Sequence, residues 1–226
     1  MSTATYLKRR DELETYFDRT AAQAWERLTS DAPVSGVRAT VRAGRDAMRE
    51  TLLSWLPTDL TGKRIFDAGC GTGQLAIDAA RLGAEVVAVD LSKTLVELAA
   101  ERAAGLDLKG SIDFRVGDMF DPGEADFDHV VAMDSLIHYR LDDFADGVRR
   151  LAALANRTVL FTFAPRTPAL ALMHTAGKLF PRGDRSPAIC PHTAKEVGDQ
   201  LTDRRLLRSK KINSGFYISQ GLEMAA

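Results

Sequence analysis

The sequence predicts an α/β domain with a doubly wound, seven-stranded, mostly parallel sheet. From residue 63 onward, short β-rich runs alternate with helical stretches. A glycine-rich turn joins the first run to the first of these helices, and no helix separates the last two runs. The length of 226 residues allows one such domain with a large buried core. The 45% hydrophobic and 27% charged residues are typical of a globular chain and exclude a disordered or collagen-like one.

Charge and cysteine content exclude further classes of protein. The 30 basic and 31 acidic side chains nearly cancel, so no overall field attracts nucleic acid. Cys70 and Cys190 are too few for a disulfide framework, and together with the four histidines they show no metal-ligand spacing. We therefore expect reduced thiols and no metal site. Neither a membrane-spanning segment nor a secretory signal is visible, which predicts a cytoplasmic protein.

The first 60 residues predict a helical lid. One helix face is marked by apolar residues three or four apart, at Leu13, Phe17, Ala21, Ala24 and Leu28. A second helix is expected to begin near Val37 and to end before Pro57. We accordingly assign residues 1–60 to the lid and residues 61–226 to the main domain.

The main domain is predicted from its alternating elements. Strands are expected at 64–69, 85–90, 112–116, 129–133 and 158–164, and helices at 74–82, 93–104 and 142–155. These lengths suit right-handed βαβ units with helices on both faces of a parallel sheet. The tail has only a turn region at Gly215, so its two strands should form an antiparallel hairpin. The proline-rich segment 165–191 is predicted to be a partly helical cover inserted before that hairpin.

The turn after the first strand is the strongest indication of a binding site. Gly69, Gly71 and Gly73 occupy alternate positions directly before a helix. Cys70, which lies between the first two glycines, is expected to contact the same ligand. Glycines allow a sharp turn and a close approach of the backbone to a ligand, and a helix N-terminus supplies amide donors. This pattern predicts a nucleotide-like ligand.

Two acidic residues at later strand ends narrow the choice of ligand. Asp90 ends the second strand, where a carboxylate can accept two ribose hydroxyls, and Leu91 beside it is expected to contact the same ligand. Asp118 follows the third strand and could accept an adenine amino hydrogen, while Met119 packs on the ring. Ser92 is expected to cap the next helix. Together with the glycine turn, these positions predict an adenosine-binding site at the switch point of the sheet.

Two classes of cofactor fit such a site. A dinucleotide enzyme prefers Gly-x-Gly-x-x-Gly, which fails from Gly69 because Gln74 occupies the last position. The relaxed pattern from Gly71 to Ala76 keeps this alternative open. Asp67 favours the other class, because its carboxylate would repel a pyrophosphate but could accept the ammonium group of an amino-acid tail. S-adenosylmethionine carries that tail.

The stretch DAGCGTG, together with Asp90 and Asp118, resembles the class I S-adenosylmethionine-dependent methyltransferases over residues ~60–226. The resemblance implies a seven-stranded sheet with an antiparallel last strand. It also implies S-adenosylmethionine as the methyl donor and S-adenosylhomocysteine as the product.

A closer resemblance covers nearly the whole chain. It is carried by YFDRTAAQAW (16–25), VRAGR (41–45), MDSLIHY (133–139), FTFAPRTPAL (161–170) and the closing FYISQGLE. In this combination the chain resembles the magnesium-protoporphyrin IX O-methyltransferases. These enzymes esterify one porphyrin propionate on the way to chlorophylls and bacteriochlorophylls. A quinone or an amine remains the alternative acceptor.

The resemblance also implies roles for individual residues. His138, in the segment after the fourth strand, is expected to accept a proton from the propionate; the alternatives are a structural histidine and an axial magnesium ligand. Tyr16 is expected to donate a hydrogen bond to the reacting groups when the N-terminal helices close over the cofactor. The alternative is that Tyr16, rather than its neighbour Phe17, packs in the hydrophobic core. Tyr139 is placed in the wall of the substrate site.

Cationic and apolar residues complete the expected site. Arg38, Arg42, Arg45 and Arg49 form a stripe that is either a solvated surface or a carboxylate-binding face. We assign Arg42 to the cofactor, and Arg38, Arg45 and Met173 to the porphyrin, with Met173 lying in the cover segment. A basic cluster near Arg208 suggests either membrane contact or an ordinary surface. Transfer of the porphyrin from a magnesium chelatase subunit is implied by the resemblance alone.

Overall fold

A computed structural model describes residues 3–18, 36–166 and 188–226 of the protein. The helices in these ranges are α1 (Ala4–Tyr16), α2 (Gly36–Trp55), α3 (Gln74–Arg81), α4 (Lys93–Ala103), α5 (Leu141–Ala152) and α6 (Ala194–Gln200). The strands are β1 (Arg64–Ala68), β2 (Glu85–Asp90), β3 (Ser111–Val116), β4 (Phe127–Ala132), β5 (Ala155–Phe163), β6 (Leu206–Ser214) and β7 (Tyr217–Ala225). None of the described helices is both long and apolar enough to cross a bilayer.

The seven strands form one sheet in the order β3-β2-β1-β4-β5-β7-β6. β1 to β5 pair in parallel, whereas β7 runs antiparallel to both β5 and β6. The prediction of a doubly wound sheet that ends in an antiparallel hairpin is therefore confirmed. The strand order changes direction at β1 and β4, and a ligand site is expected at the carboxyl ends of these strands.

Helices bury both faces of the sheet. One face packs with α5 through apolar side chains that include Phe144 and Leu151, both without solvent exposure. The other face packs with α2 and α3, where Met48, Leu52 and Ala79 are fully buried. The near-continuous apolar runs of β1, β2 and β4 follow from this burial, because a parallel strand covered on both sides has no solvent face.

The N-terminal helix differs from its predicted extent. α1 begins at Ala4, well before Leu13, because the side chain of Thr3 caps it by accepting a hydrogen bond from the Tyr6 N–H. The first turns are mostly polar and exposed, so they carry no apolar period. Downstream, the predicted face at Ala21, Ala24 and Leu28 lies outside the described residues.

Two further differences concern the C-terminal half. α5 ends at Ala152 rather than at residue 155, because β5 already begins at Ala155. The short helix α6 was missed, although Thr193 and Glu196 form a reciprocal capping box that marks its start. Most of the predicted cover segment, including Met173, lies outside the described residues.

Candidate active site

A cavity of about 310 Å³ lies at the carboxyl ends of β1, β2 and β4. It is lined by α1 and α2, by the turn after β1, by the end of β2 and by the segment after β4. The predicted site residues that line it are Asp67, Gly69, Cys70, Gly71, Asp90, Leu91, Met119, Arg42, Arg45, His138 and Tyr139. Within the described part of the chain, Gly73, Asp118, Tyr16 and Arg38 do not line it.

The three glycines of the turn have different roles. All three have positive φ angles, between +53° and +82°, which side chains rarely adopt. A Cβ on Gly69 would lie 2.4 Å from the Cβ of Ser135, so this glycine allows close packing against the segment after β4. A Cβ on Gly73 would similarly meet α4 and β3. A Cβ on Gly71, in contrast, would meet no protein atom within 4 Å, and its backbone is therefore open to a ligand.

Asp67 is a buried acid without a full set of partners. Its side chain is only 2% exposed, and Oδ2 has no hydrogen-bond partner in the structure. Burial, followed by repulsion from Asp90, raises the pKa of Asp67 to about 7, although the Ala76 N–H opposes this shift. A cationic group brought to this carboxylate would stabilise its ionised form.

Asp90 lies at the end of β2 with both carboxylate oxygens held by the backbone. The N–H of Gly71 donates to one oxygen at 2.8 Å and the N–H of Ser92 to the other at 2.9 Å. Burial nevertheless raises the pKa of Asp90. The Ser92 hydroxyl accepts from the Leu95 N–H, so Ser92 caps α4 as predicted. A carboxylate oxygen has two lone pairs, so Asp90 can accept from a ligand as well.

Asp118 is held beside the cavity by α1. Its Oδ1 accepts hydrogen bonds from the Tyr6 hydroxyl at 2.6 Å and from the Phe120 N–H at 2.9 Å. The Arg10 guanidinium lies 3.6 Å from Oδ2. Tyr6 is buried and stacks on Tyr139, with ring centroids 5.3 Å apart. Nothing in the sequence pattern links residue 6 to residue 118, so this contact is visible only in the structure.

His138 is buried at the wall of the cavity. Its Nδ1 lies 3.3 Å from the carbonyl oxygen of Ala188. A carbonyl can only accept, so a hydrogen bond at this contact requires a proton on Nδ1, and Nε2 is the ring nitrogen that can take up a further proton. The ring of Phe17 contacts His138 at a centroid distance of 6.4 Å. The arrangement can therefore accept a proton from a group in the cavity.

The remaining predicted residues divide into two sets. Arg42 and Arg45 face the cavity from α2, whereas Arg38 is exposed at the start of that helix. Phe17 lines the cavity and packs on the core, while Tyr16 lies against it with ring centroids 5.2 Å apart. Of these two neighbours it is thus Phe17 that serves the core.

Asp134 and Ser135 are polar lining residues to which the sequence pattern assigns no role. Asp134 accepts hydrogen bonds from Arg45 and from Tyr217, and the buried Ser135 hydroxyl has no partner in the structure. Both lie just after β4, beyond Met133, and position near a strand end in a switch-point fold is the signal that would have identified them.

The cavity fits an adenosine that carries an amino-acid tail. Asp67 Oδ2 and Ser135 Oγ are buried polar atoms that need partners, and Gly71 leaves room for a ligand. Asp90 would hold ribose hydroxyls, Asp67 would hold an ammonium group, and the arginines of α2 supply counter-charges for a carboxylate. A pyrophosphate would instead meet the carboxylates of Asp67 and Asp90 at this turn.

Comparisons with known proteins agree with this fit. A family model described as "Magnesium-protoporphyrin IX methyltransferase C-terminus" matches residues 132–226, and one described as "Methyltransferase domain" matches residues 65–157. The magnesium-protoporphyrin O-methyltransferase of Rhodobacter capsulatus is 48% identical over 96% of this chain and 97% of its own length.

Solved structures give the same result. The magnesium protoporphyrin IX methyltransferase of Synechocystis with bound SAH superimposes with a TM-score of 0.85 at 30% identity, covering 95% of this chain and 98% of the other. The same enzyme with bound SAM superimposes with a TM-score of 0.82 at 27% identity, covering 99% of both chains.

Proposed function

Because the chain belongs to the magnesium-protoporphyrin O-methyltransferase family, we propose that it methylates a propionate carboxylate of magnesium protoporphyrin IX, with S-adenosylmethionine as the donor. The product is the monomethyl ester of (bacterio)chlorophyll biosynthesis. One observation carries this assignment: a single cavity joins the acids Asp67 and Asp90 to His138 and the arginines of α2. These are the groups that a cationic methyl donor and an anionic acceptor require.

The reaction places modest demands on acid–base chemistry. When bound, S-adenosylmethionine supplies an electrophilic methyl group. A propionate resembles a glutamate side chain with a pKa of about 4.3, so it is ionised at neutral pH and needs no strong base. The protein must therefore chiefly orient the acceptor and remove water from it. Burial of His138, Tyr139 and Leu13 supports this role.

Two residues are proposed to act on the acceptor itself. Desolvation raises the pKa of a carboxylic acid, and His138 Nε2 would then accept the proton that the propionate retains. The contact of Nδ1 with the Ala188 carbonyl supports this tautomer. Tyr16 is proposed to donate a hydrogen bond to the reacting groups once residues 1–60 have closed as a lid over the main domain. Its ring contact with Phe17, which lines the cavity, supports this proposal.

We assign the carboxylates of both ligands to the arginines of α2, and the porphyrin macrocycle to the cover segment. We assign Arg42 to the cofactor, as its position in the cavity wall supports. Arg38 and Arg45 are assigned to the porphyrin propionates, with Tyr139 in the wall. Met173 and the rest of 165–191 are proposed to cover the macrocycle.

Turnover of magnesium protoporphyrin IX with S-adenosylmethionine tests the function. Chromatography should show a single monomethyl ester, and the porphyrin dimethyl ester, which has no carboxylate to accept the methyl group, should not react. Binding of S-adenosylhomocysteine without any ester formation would overturn the acceptor assignment. Tight binding of NADH instead would overturn the methyltransferase assignment altogether.

Two contacts outside the cavity belong to the same proposal. We place the enzyme in the cytoplasm, peripheral to the photosynthetic membrane, where the exposed side chains of Arg208, Lys210 and Lys211 on β6 would face anionic lipid. Lysines on an edge strand also prevent strand pairing between molecules, which is their alternative role. Co-sedimentation with phosphatidylglycerol vesicles, for wild type and for the Lys210→Ser Lys211→Ser variant, distinguishes the two.

Transfer of the porphyrin from a magnesium chelatase subunit to this enzyme is proposed on the family resemblance.

A further inference from the structure

One carboxylate, that of Asp134, gathers donors from three other elements. Arg45 of α2 donates from Nη1 at 2.7 Å, and the Tyr217 hydroxyl of β7 lies 3.0 and 3.1 Å from the two carboxylate oxygens. The Thr162 hydroxyl of β5 donates to Oδ1 at 3.1 Å and accepts from the Asp134 N–H at 2.7 Å. We call these four residues the Asp134 cluster.

The backbone of Asp134 is unusual as well. Its φ angle is +57°, and Asp126 is the only other described residue besides glycine with a positive φ. A left-handed backbone and a nearly buried ion pair both cost free energy, and such costs are concentrated at functional sites. The cluster therefore indicates a role beyond holding α2 on the sheet.

Gly44 explains how α2 reaches the cluster. A Cβ at this position would lie 2.5 Å from Cδ1 of Tyr217, so only glycine lets the helix pack directly against that ring. Arg45 is the next residue and meets the carboxylate that Tyr217 also contacts. Burial and the Asp134 charge raise the pKa of Tyr217 well above its usual value, which keeps its hydroxyl a donor. The glycine in VRAGR is therefore a packing requirement that sets the position of the arginine.

The cluster forms part of the cavity wall. Arg45, Asp134 and Ser135 all line the cavity, and Asp67 lines it at the end of the adjacent strand β1. A guanidinium has five N–H donors in a rigid fork, so it can pair with Asp134 and with a ligand carboxylate at the same time. When the Arg45 guanidinium is already held in one orientation, it loses less conformational entropy on binding a ligand carboxylate, so that binding is more favourable.

We propose that Asp134 is a positioning residue which, with Tyr217 and Thr162, holds the Arg45 guanidinium so that it binds a ligand carboxylate in the cavity. Two sources offer that carboxylate: a porphyrin propionate, to which the proposed function assigns Arg45, and the amino-acid tail of the cofactor, which meets the same cavity wall. The inference depends on the proposed function only for the identity of these ligands.

The cofactor arm of the test uses two ligands that differ by one group. Calorimetry compares S-adenosylhomocysteine with its decarboxylated analogue, 5′-deoxy-5′-(3-aminopropylthio)adenosine. If Arg45 binds the tail, Arg45→Met lowers affinity for S-adenosylhomocysteine about tenfold to hundredfold and leaves the analogue unchanged. Asp134→Asn and Tyr217→Phe lower it in the same selective way by smaller factors. Asp113→Asn, which breaks an ion pair with Arg115 on the exposed part of β3, is the matched control.

The porphyrin arm uses steady-state kinetics of the same variants. If Arg45 binds a propionate, KM for magnesium protoporphyrin rises by a similar factor while affinity for S-adenosylhomocysteine stays unchanged. Either selective result supports the proposal. Unchanged values in both arms would overturn it, and so would an equal loss for S-adenosylhomocysteine and its decarboxylated analogue, because that indicates general damage to the fold.

A double variant tests whether Asp134 acts through Arg45. In the Arg45→Met background, Asp134→Asn should cause no further loss of carboxylate-dependent binding, and a second loss of the same size would overturn the positioning role. A failure of this proposal can be distinguished from a failure of the proposed function. Absence of porphyrin turnover in the wild type, with normal binding of S-adenosylhomocysteine, would contradict the acceptor and leave the cofactor arm valid.

Discussion

Two walls of the cavity differ in how their polar groups are held. The turn wall, formed by Asp67, Gly69, Gly71 and Asp90, is held by the backbone: Gly71 donates to Asp90, and Gly69 donates to the Val89 carbonyl. The assembled wall, formed by Arg45, Asp134 and His138, is held by residues far away in the chain. Arg45 and Asp134 are 89 positions apart, and His138 and Ala188 are 50 apart.

The two walls should therefore differ in how strongly substitutions in distant segments disturb them. A backbone-held wall forms as soon as the β1-α3-β2 unit forms, since its partners are neighbours in that unit. An assembled wall requires α2, β4 and β7 to pack correctly, so it is more sensitive to distant substitutions. Variants in the turn wall should therefore affect affinity, and variants in the assembled wall should affect turnover or ligand selectivity.

The largest effect is expected for Asp90 in the turn wall. Asp90→Ala removes the acceptor for ribose hydroxyls and the partner of the Gly71 and Ser92 amides. Affinity for S-adenosylhomocysteine should fall by about a hundredfold to a thousandfold in calorimetry. Asp113→Ala on the exposed part of β3 should bind normally. Wild-type affinity in Asp90→Ala would remove the basis for the cofactor site.

His138 in the assembled wall should show the opposite pattern. We expect His138→Ala to lower kcat by about a hundredfold, because a proton acceptor at the carboxylate is lost, with little change in affinity for S-adenosylhomocysteine. His138→Gln keeps a polar group there and should not restore kcat. Wild-type turnover in the alanine variant would return His138 to a structural role.

A pH titration sharpens the comparison at Asp67. Burial and Asp90 raise the pKa of Asp67 to about 7, so the folded protein without ligand retains a proton that the unfolded chain releases. This group therefore makes the ligand-free protein less stable as the pH rises toward 7. The ionised form is the one that accepts an ammonium group, and affinity for S-adenosylhomocysteine should rise about tenfold between pH 6 and 8.

The matched variant for this titration is Asp67→Asn, which cannot ionise. Its affinity should be lower and nearly independent of pH over that range, whereas Asp113→Asn should follow the wild type. Equal slopes for wild type and Asp67→Asn would show that another group controls the pH dependence.

The smallest effect is expected for the contact of α1 with Asp118. Tyr6→Phe keeps the stacking on Tyr139 but removes the hydroxyl that donates to the carboxylate. The loss of about 1 kcal/mol should speed dissociation of S-adenosylhomocysteine roughly fivefold in stopped-flow displacement. Lys8→Ala, on the exposed face of the same helix, is the control. Slower dissociation in Tyr6→Phe would mean that Tyr6 competes with the ligand for Asp118.

The sequence by itself determined the sheet, its hairpin and the turn wall. Apolar runs and helical periods act over short distances, and glycine conformations act within a single turn, so Asp67, Gly71 and Asp90 could be placed without a structure. The ends of the elements were predicted less well: α1 begins earlier than expected, β4 and β5 begin two and three residues before the predicted positions, and α6 was missed. Capping contacts and strand pairing decide such ends, and the apolar period does not report them.

Only the tertiary structure decided the partners of the assembled wall. Asp134 and Tyr217 are 83 positions apart, and Tyr6 and Asp118 are 112 apart, so neither contact leaves a periodic signal in the chain. Arg45 is one of four arginines with helical spacing, and that spacing alone cannot choose among them. The choice depends on the ring that packs against Gly44 and on the carboxylate after β4, because contacts between distant segments are fixed by how the layers pack.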